Sequence, residues 1–217
     1  MKKRVMYLLS LCLIAVASAG MARADTQFFL TVSGQNWSTP SSSLCGGTKC
    51  FGVVDLSQVG GNVVVTVTLT PDVYFIKSGN SNSHETFAFN LPSSITPSDL
   101  AAPTGWTAGS NGTEANIGTF SLYEDCSSST NPPCTPNGNS TLGSLKFTVD
   151  GVTISDFEKD GSGYYFGADV IDDLNGGKTG NIGDDGPVPV VPEPSSLLLL
   201  GTGLVALAGA YKFKLFV

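Results

Sequence analysis

Histidine and positive charge are scarce in this 217-residue chain, which has one histidine and eleven lysines and arginines against eighteen acidic residues. A hydrolase of the usual kind needs a base. The single histidine, His84, stands in a Ser/Asn stretch ahead of a strand-like segment, where it reads as an exposed loop residue. No G-x-S-x-G elbow, S-x-x-K pair or H-E-x-x-H helix occurs, so serine, lysine-assisted and zinc hydrolases lack their signatures. There is no phosphate-cradling loop and no long amphipathic helical pattern either. On these absences the chain is expected not to be an enzyme. A glycoside hydrolase is the exception to keep, because two carboxylates brought together by folding, from among Glu85, Glu114, Glu124 and Glu158, would suffice.

The ends have their own composition. Lys2, Lys3 and Arg4 precede an apolar run from Val5 to Val16, and Ala22-Arg23-Ala24 places small residues where a signal peptidase reads. Residues 1–24 are therefore expected to be a secretory signal peptide, with the mature chain starting at Asp25. Cys12 lies inside the apolar run after the bulky Leu11, which argues against lipidation. Without the basic residues of the two ends and Glu193, five basic and seventeen acidic residues remain, a formal charge of about −12. Such a body does not suit nucleic acid or anionic lipid as a partner and does suit a secreted, hydrated setting.

In an oxidising compartment Cys45, Cys50, Cys126 and Cys134 are read as pairs. Three connectivities are open, and the two short loops favour 45–50 with 126–134. A four-thiolate zinc site is the alternative, and neither spacing is that of a zinc knuckle.

The body, residues 25–186, reads as strands. Asn62 to Thr70, NVVVTVTLT, alternates over its whole length. Further strands are expected at Gln27–Val32, Phe51–Leu56, Val73–Lys77, Glu85–Leu91, Gly118–Tyr123, Ser144–Val149 and Gly163–Ile171. One short helical turn is expected near Ile95–Ala102, with Thr96 as cap and Pro97 in the first turn. The predicted fold is all-β, an antiparallel β-sandwich of Ig-like or jelly-roll type, followed by one C-terminal transmembrane helix. Its aromatic residues read as core. A carbohydrate-binding module would instead expose Trp37, Trp106, Tyr123 and Tyr164 as a stacking platform.

The segment from Ala168 to Gly186, ADVIDDLNGGKTGNIGDDG, is rich in hard oxygen ligands: Asp169, Asp172, Asp173, Asn175, Asp184 and Asp185. Calcium is the ion they would suit, although Lys178 and Asp184 break an EF-hand register counted from Asp173. A solvated loop leading into the linker is the plainer reading. No other cofactor is expected.

Residues 187–196 read as a Pro-rich linker, and 197–217 as an apolar helix with a basic end. The run from Leu197 to Tyr211, extended by two serines, would span roughly 25 Å as a helix, against about 30 Å for a bilayer core. Val-Pro-Glu-Pro-Ser-Ser at 191–196, followed directly by Leu-Leu-Leu-Leu-Gly-Thr-Gly-Leu, resembles the PEP-CTERM sorting signal of exported Gram-negative bacterial proteins. The resemblance implies that Pro192, Glu193 and Pro194 are recognised by a membrane protease of the exosortase type. It also implies that Leu197 to Ala210 is a temporary anchor and that Lys212 and Lys214 are its stop, although the family usually ends in several arginines. Segments 75–91, 147–170 and 177–183 resemble a strand-rich group of ectodomains carrying the same signal, with no enzymatic activity implied. The function expected is that of an exported cell-surface or matrix structural or interaction protein, transiently anchored in the inner membrane and then released or attached at the surface, with exopolysaccharide as a candidate partner.

Overall fold

The computed structural model describes residues 25–77, 84–126 and 143–188, together with Gly203. Eleven strands occur in it: β1 (Asp25–Ser33), β2 (Gly52–Val59), β3 (Asn62–Leu69), β4 (Val73–Phe75), β5 (Phe87–Phe89), β6 (Leu100–Ala101), β7 (Trp106–Glu114), β8 (Gly118–Cys126), β9 (Ser144–Val149), β10 (Phe166–Asp172) and β11 (Lys178–Val188). The all-β, antiparallel expectation holds. All eleven strands belong to one continuous sheet in the order β6-β9-β3-β2-β1-β11-β10-β5-β8-β7, with β4 also paired to β10.

Alternation explains one end of this sheet. Val63, Val65 and Val67 of β3 are fully buried, and Val64 and Thr66 between them are partly exposed. Leu145, Phe147 and Val149 of β9 repeat the pattern on the neighbouring strand. A two-residue turn at Gly60-Gly61 joins β2 to β3, with Gly60 in the left-handed region at φ +62°.

The sheet curls over its own apolar face. Phe147 on β9 lies 6.2 Å from Phe87 and 5.4 Å from Phe89 of β5, ring to ring, although β9 and β5 stand far apart in strand order. Phe157 meets Phe89 at 6.0 Å and Phe166 at 5.8 Å, and Phe28 meets Phe166 at 4.8 Å. This aromatic cluster is the centre of the core, where each ring contributes roughly 1.5–3 kcal/mol by leaving water. The strands thus make one nearly closed antiparallel sheet around this cluster, where two separate sheets of a sandwich were expected.

Strands β4 and β5 lie end to end along the same side of β10. Val73–Phe75 pair with Val170–Asp172, and Phe87–Phe89 pair with Phe166–Ala168. Between them the chain leaves the ladder opposite Asp169, whose carbonyl accepts from Ile76 N–H at 3.0 Å and whose N–H donates to Thr86 O at 3.3 Å. Lys77 and Glu85 therefore stand on the two sides of one narrow neck.

The helical turn expected around Pro97 is present as Pro97–Asp99, with Thr96 and Asp99 forming a capping box. The same Thr-x-x-Asp device recurs at Thr153 and Asp156. Strand β11 continues through Pro187 and Val188, two residues into the stretch read as linker. Among the described residues no helix is long and apolar enough to cross a membrane. The expected C-terminal helix falls, apart from Gly203, outside the described residues.

Candidate functional site

The hairpin of β7 and β8 pairs Trp106 with Cys126 at one end and Glu114 with Gly118 at the other. A side chain at Gly109 would fall inside the Tyr123 ring, and one at Gly112 would crowd both Tyr123 and Glu85. Glycine at these two positions lets the tyrosine lie across β7.

Near that tyrosine, two buried carboxylates meet a partly exposed lysine. Lys77 Nζ donates to Asp125 Oδ2 and lies 3.8 Å from Glu85 Oε2. Asp125 Oδ1 accepts the Thr86 N–H at 2.9 Å. Glu85 is 2% exposed and Asp125 6%. Burial, and then the hydrogen bond and charge of Asp125, push the Glu85 carboxyl up to about 7, with Lys77 acting in the opposite sense. Burial opposes the Lys77 charge, but the Asp125 hydrogen bond and the two carboxylates outweigh it and raise the ammonium above its ordinary value. The Tyr123 phenol is raised as well, by burial and then by Glu85 and Asp125.

Next to this group, Glu114 on β7 is 1% exposed. Burial, and after it the charge of Asp169, raises its carboxyl well above the usual range, while the bond from Asn181 opposes the shift. Asn181 Nδ2 donates to Glu114 Oε2, and Glu114 Oε1 and Asn181 Oδ1 have no hydrogen-bond partner. The raised carboxyl favours the neutral acid, which costs less to bury than a carboxylate. Gly167 on β10 makes room for it, since a Cβ there would press on Glu114 and Phe120.

Of the four glutamates considered for glycoside hydrolysis, the fold brings two together: the charges of Glu85 and Glu114 act on one another. Both are sealed from solvent rather than set across an open cleft. Glu124 pairs opposite Phe87, its two oxygens lack hydrogen bonds, and burial followed by the Asp125 charge raises its carboxyl to about 8. Glu158 is exposed and bridges to Asn90. His84 is not the exposed loop residue expected; it is half-buried and forms an isolated antiparallel bridge with Glu114.

The residues suggested for calcium separate into different tasks. Asp172 caps the turn Asp173–Asn175, accepting from Leu174 N and Asn175 N. Asp184 accepts from Tyr165 N and Phe166 N, each at 2.8 Å, and from Gly186 N at 2.9 Å. Burial raises its carboxyl to about 6 against these three donors. Asp169 is buried on β10, Asn175 donates to Asp172 Oδ2, and Asp173 and Asp185 face solvent. Among the described residues no three of these carboxylates gather as a metal cage.

The four rings proposed as a sugar platform do not form one surface. Trp106 packs edge-on to Phe75 at 5.9 Å, Tyr123 lies against Gly109 and Gly112 of β7, and Tyr164 joins Ile117 and Phe120. Trp37 alone lines an open depression of about 710 Å³, with Gln35, Asn36, Ser38, Asn175 and Lys178. Cys45 and Cys50 form a disulfide across the β1–β2 connection. Cys126 is also disulfide-bonded, and Cys134, its expected partner, lies outside the described residues. So do Ala22, Ala24, Pro192, Glu193, Pro194, Lys212 and Lys214.

Residues 190–212 match the family model of the PEP-CTERM protein-sorting motif. No curated protein and no solved structure matches the chain.

Proposed function

From the PEP-CTERM protein-sorting motif that this chain carries at residues 190–212, we propose that it is an exported structural or interaction protein of the cell surface or extracellular matrix. Motifs of this kind are recognised by exosortase, a membrane protein, and belong to exported proteins held transiently at the membrane. In this reading Pro192, Glu193 and Pro194 present the cleavage segment, since two prolines keep the backbone extended and accessible. Leu197 to Ala210 holds the chain until the protease acts, and Lys212 and Lys214 stop its passage. The body is then released or retained among exopolysaccharide, and its acidic surface and paired cysteines suit that setting.

The observation that carries this reading is the coincidence of the motif match with the Pro-Glu-Pro tripeptide and an apolar run behind it. Replacing Pro192, Glu193 and Pro194 together by alanine in the native host tests it. The expected result is accumulation of the full-length chain in the membrane fraction and loss of the released form. Unchanged release would overturn the reading.

A carbohydrate-binding role is the second reading, favoured by the polar depression with Trp37 on its wall. Titration with soluble exopolysaccharide should then quench the tryptophan emission, and Trp37→Ala should abolish the response. An equal response in that variant would remove the idea.

A further inference from the structure

At the neck between β4 and β5 an amine is held against a carboxyl group beside a second carboxyl group. Lys77 Nζ touches Asp125 Oδ2, the other oxygen of Asp125 is held by the Thr86 N–H at 2.9 Å, and Glu85 is 3.8 Å from Nζ. Glu85 is also near enough to Asp125 for that carboxylate to raise its own carboxyl. We propose that Lys77 and Asp125 become joined through Nζ and Cγ as an intramolecular amide, with Glu85 carrying the protons.

The step needs no cofactor. The Lys77 ammonium gives a proton, by way of Glu85, to the Asp125 carboxylate, so that a neutral amine faces a neutral carboxylic acid. The Nζ lone pair attacks Cγ. Negative charge gathers on Oδ1, where the Thr86 N–H stabilises it as an oxyanion-hole donor does. The bond from Cγ to Oδ2 then breaks, and Oδ2 leaves as water. Of the three ammonium hydrogens, one stays on the amide nitrogen and two leave on that oxygen. Glu85 begins and ends protonated, and charge is conserved because an ion pair becomes two neutral molecules.

The raised ammonium of Lys77 favours the ion pair, and three features favour the reaction against it. Contact replaces a collision between two solutes with a local event. Glu85, with its carboxyl near 7, is suited to take and return a proton at neutral pH. The carbonyl carbon belongs to a carboxyl group that, like Glu85, is almost wholly shielded, which limits the access of water from that side, although Lys77 itself is 37% exposed. The finished bond would tie the end of β4 to the end of β8 across a sequence separation of 48, next to the disulfide-bonded Cys126. It requires only the folded body and so stands or falls apart from the sorting motif.

Peptide mass spectrometry of the purified full chain, reduced, alkylated and digested with trypsin and chymotrypsin, tests the bond. The expected product is a branched peptide containing Lys77 and Asp125, lighter by one water than its two linear parts, with no tryptic cleavage after Lys77. Linear peptides of full mass from the wild-type chain would overturn the proposal, and that reading does not depend on any variant folding. Lys77→Ala and Asp125→Ala should each remove the branched species. Glu85→Gln should leave the linear peptides predominant; a fully branched Glu85→Gln chain would overturn the role given to Glu85.

Discussion

Strands β3 and β9 differ from β10 and β11 in how they bury their residues, although all four belong to one sheet. In β3 and β9 burial alternates, and the buried positions are valine, leucine and phenylalanine. In β10 every residue is buried, Asp169 and Asp172 included, and in β11 burial is continuous from Gly180 to Asp184. A strand with one wet face is satisfied by apolar residues in period two. A strand buried on both faces that carries polar side chains must give each of them a partner or a proton. The molecule uses backbone donors at Asp184, an amide at Glu114 and an amine at Asp125.

Breaking the apolar side of this comparison should have the largest effect. Phe147 meets Phe87 and Phe89 across the fold, and Phe147→Ala should cost about 3–5 kcal/mol in urea unfolding. On the polar side, Asp184→Ala strands the N–H groups of Tyr165, Phe166 and Gly186. A loss of about 3 kcal/mol is expected from the same measurement, since each orphaned donor costs about 1–3 kcal/mol and water can enter the space left. Gly109→Ala drives a methyl group into the Tyr123 ring. That change should cost about 1–3 kcal/mol and make Tyr123 titrate closer to an ordinary phenol in an absorbance scan.

The smallest effect at low pH, and the most diagnostic, belongs to Glu124→Gln. The folded-state carboxyl titrates near 8 against an ordinary 4.5, so between those values the folded chain binds more protons than the unfolded one. Its contribution is whole below 4.5 and is lost as pH rises through 8, at up to about 1.4 kcal/mol per pH unit. Glu124→Gln should match the wild type at pH 5 and outlast it at pH 9. Parallel melting curves for the two chains across that range would contradict the assignment. Addition or chelation of calcium should leave the melting temperature of either chain unmoved.

The same contrast decides what could be read in advance. Asn62–Leu69 and Ser144–Val149 are legible because their alternation needs no knowledge of the partner strand. Strand β7 is missed because Thr-Ala-Gly-Ser-Asn-Gly-Thr carries turn residues, and its glycines have a purpose only once Tyr123 lies over them. Strand β11 is missed for a related reason: Gly-Asn-Ile-Gly-Asp-Asp-Gly reads as a loop, and its acids read as ion ligands, until β1 and β10 flank it. Glu85 and Glu114 could be named as carboxylates of interest. Their meeting, and the approach of Lys77 to Asp125, come from strands far apart in the chain, which local spacing does not encode. The terminal motif is legible because a sorting signal is read as a linear string.

The sorting claim is tested most directly by the intact mass of the chain recovered from its native host. The account predicts a species that begins at Asp25 and ends between Pro192 and Ser196. A mature species that still carries Leu197 to Val217 would contradict it.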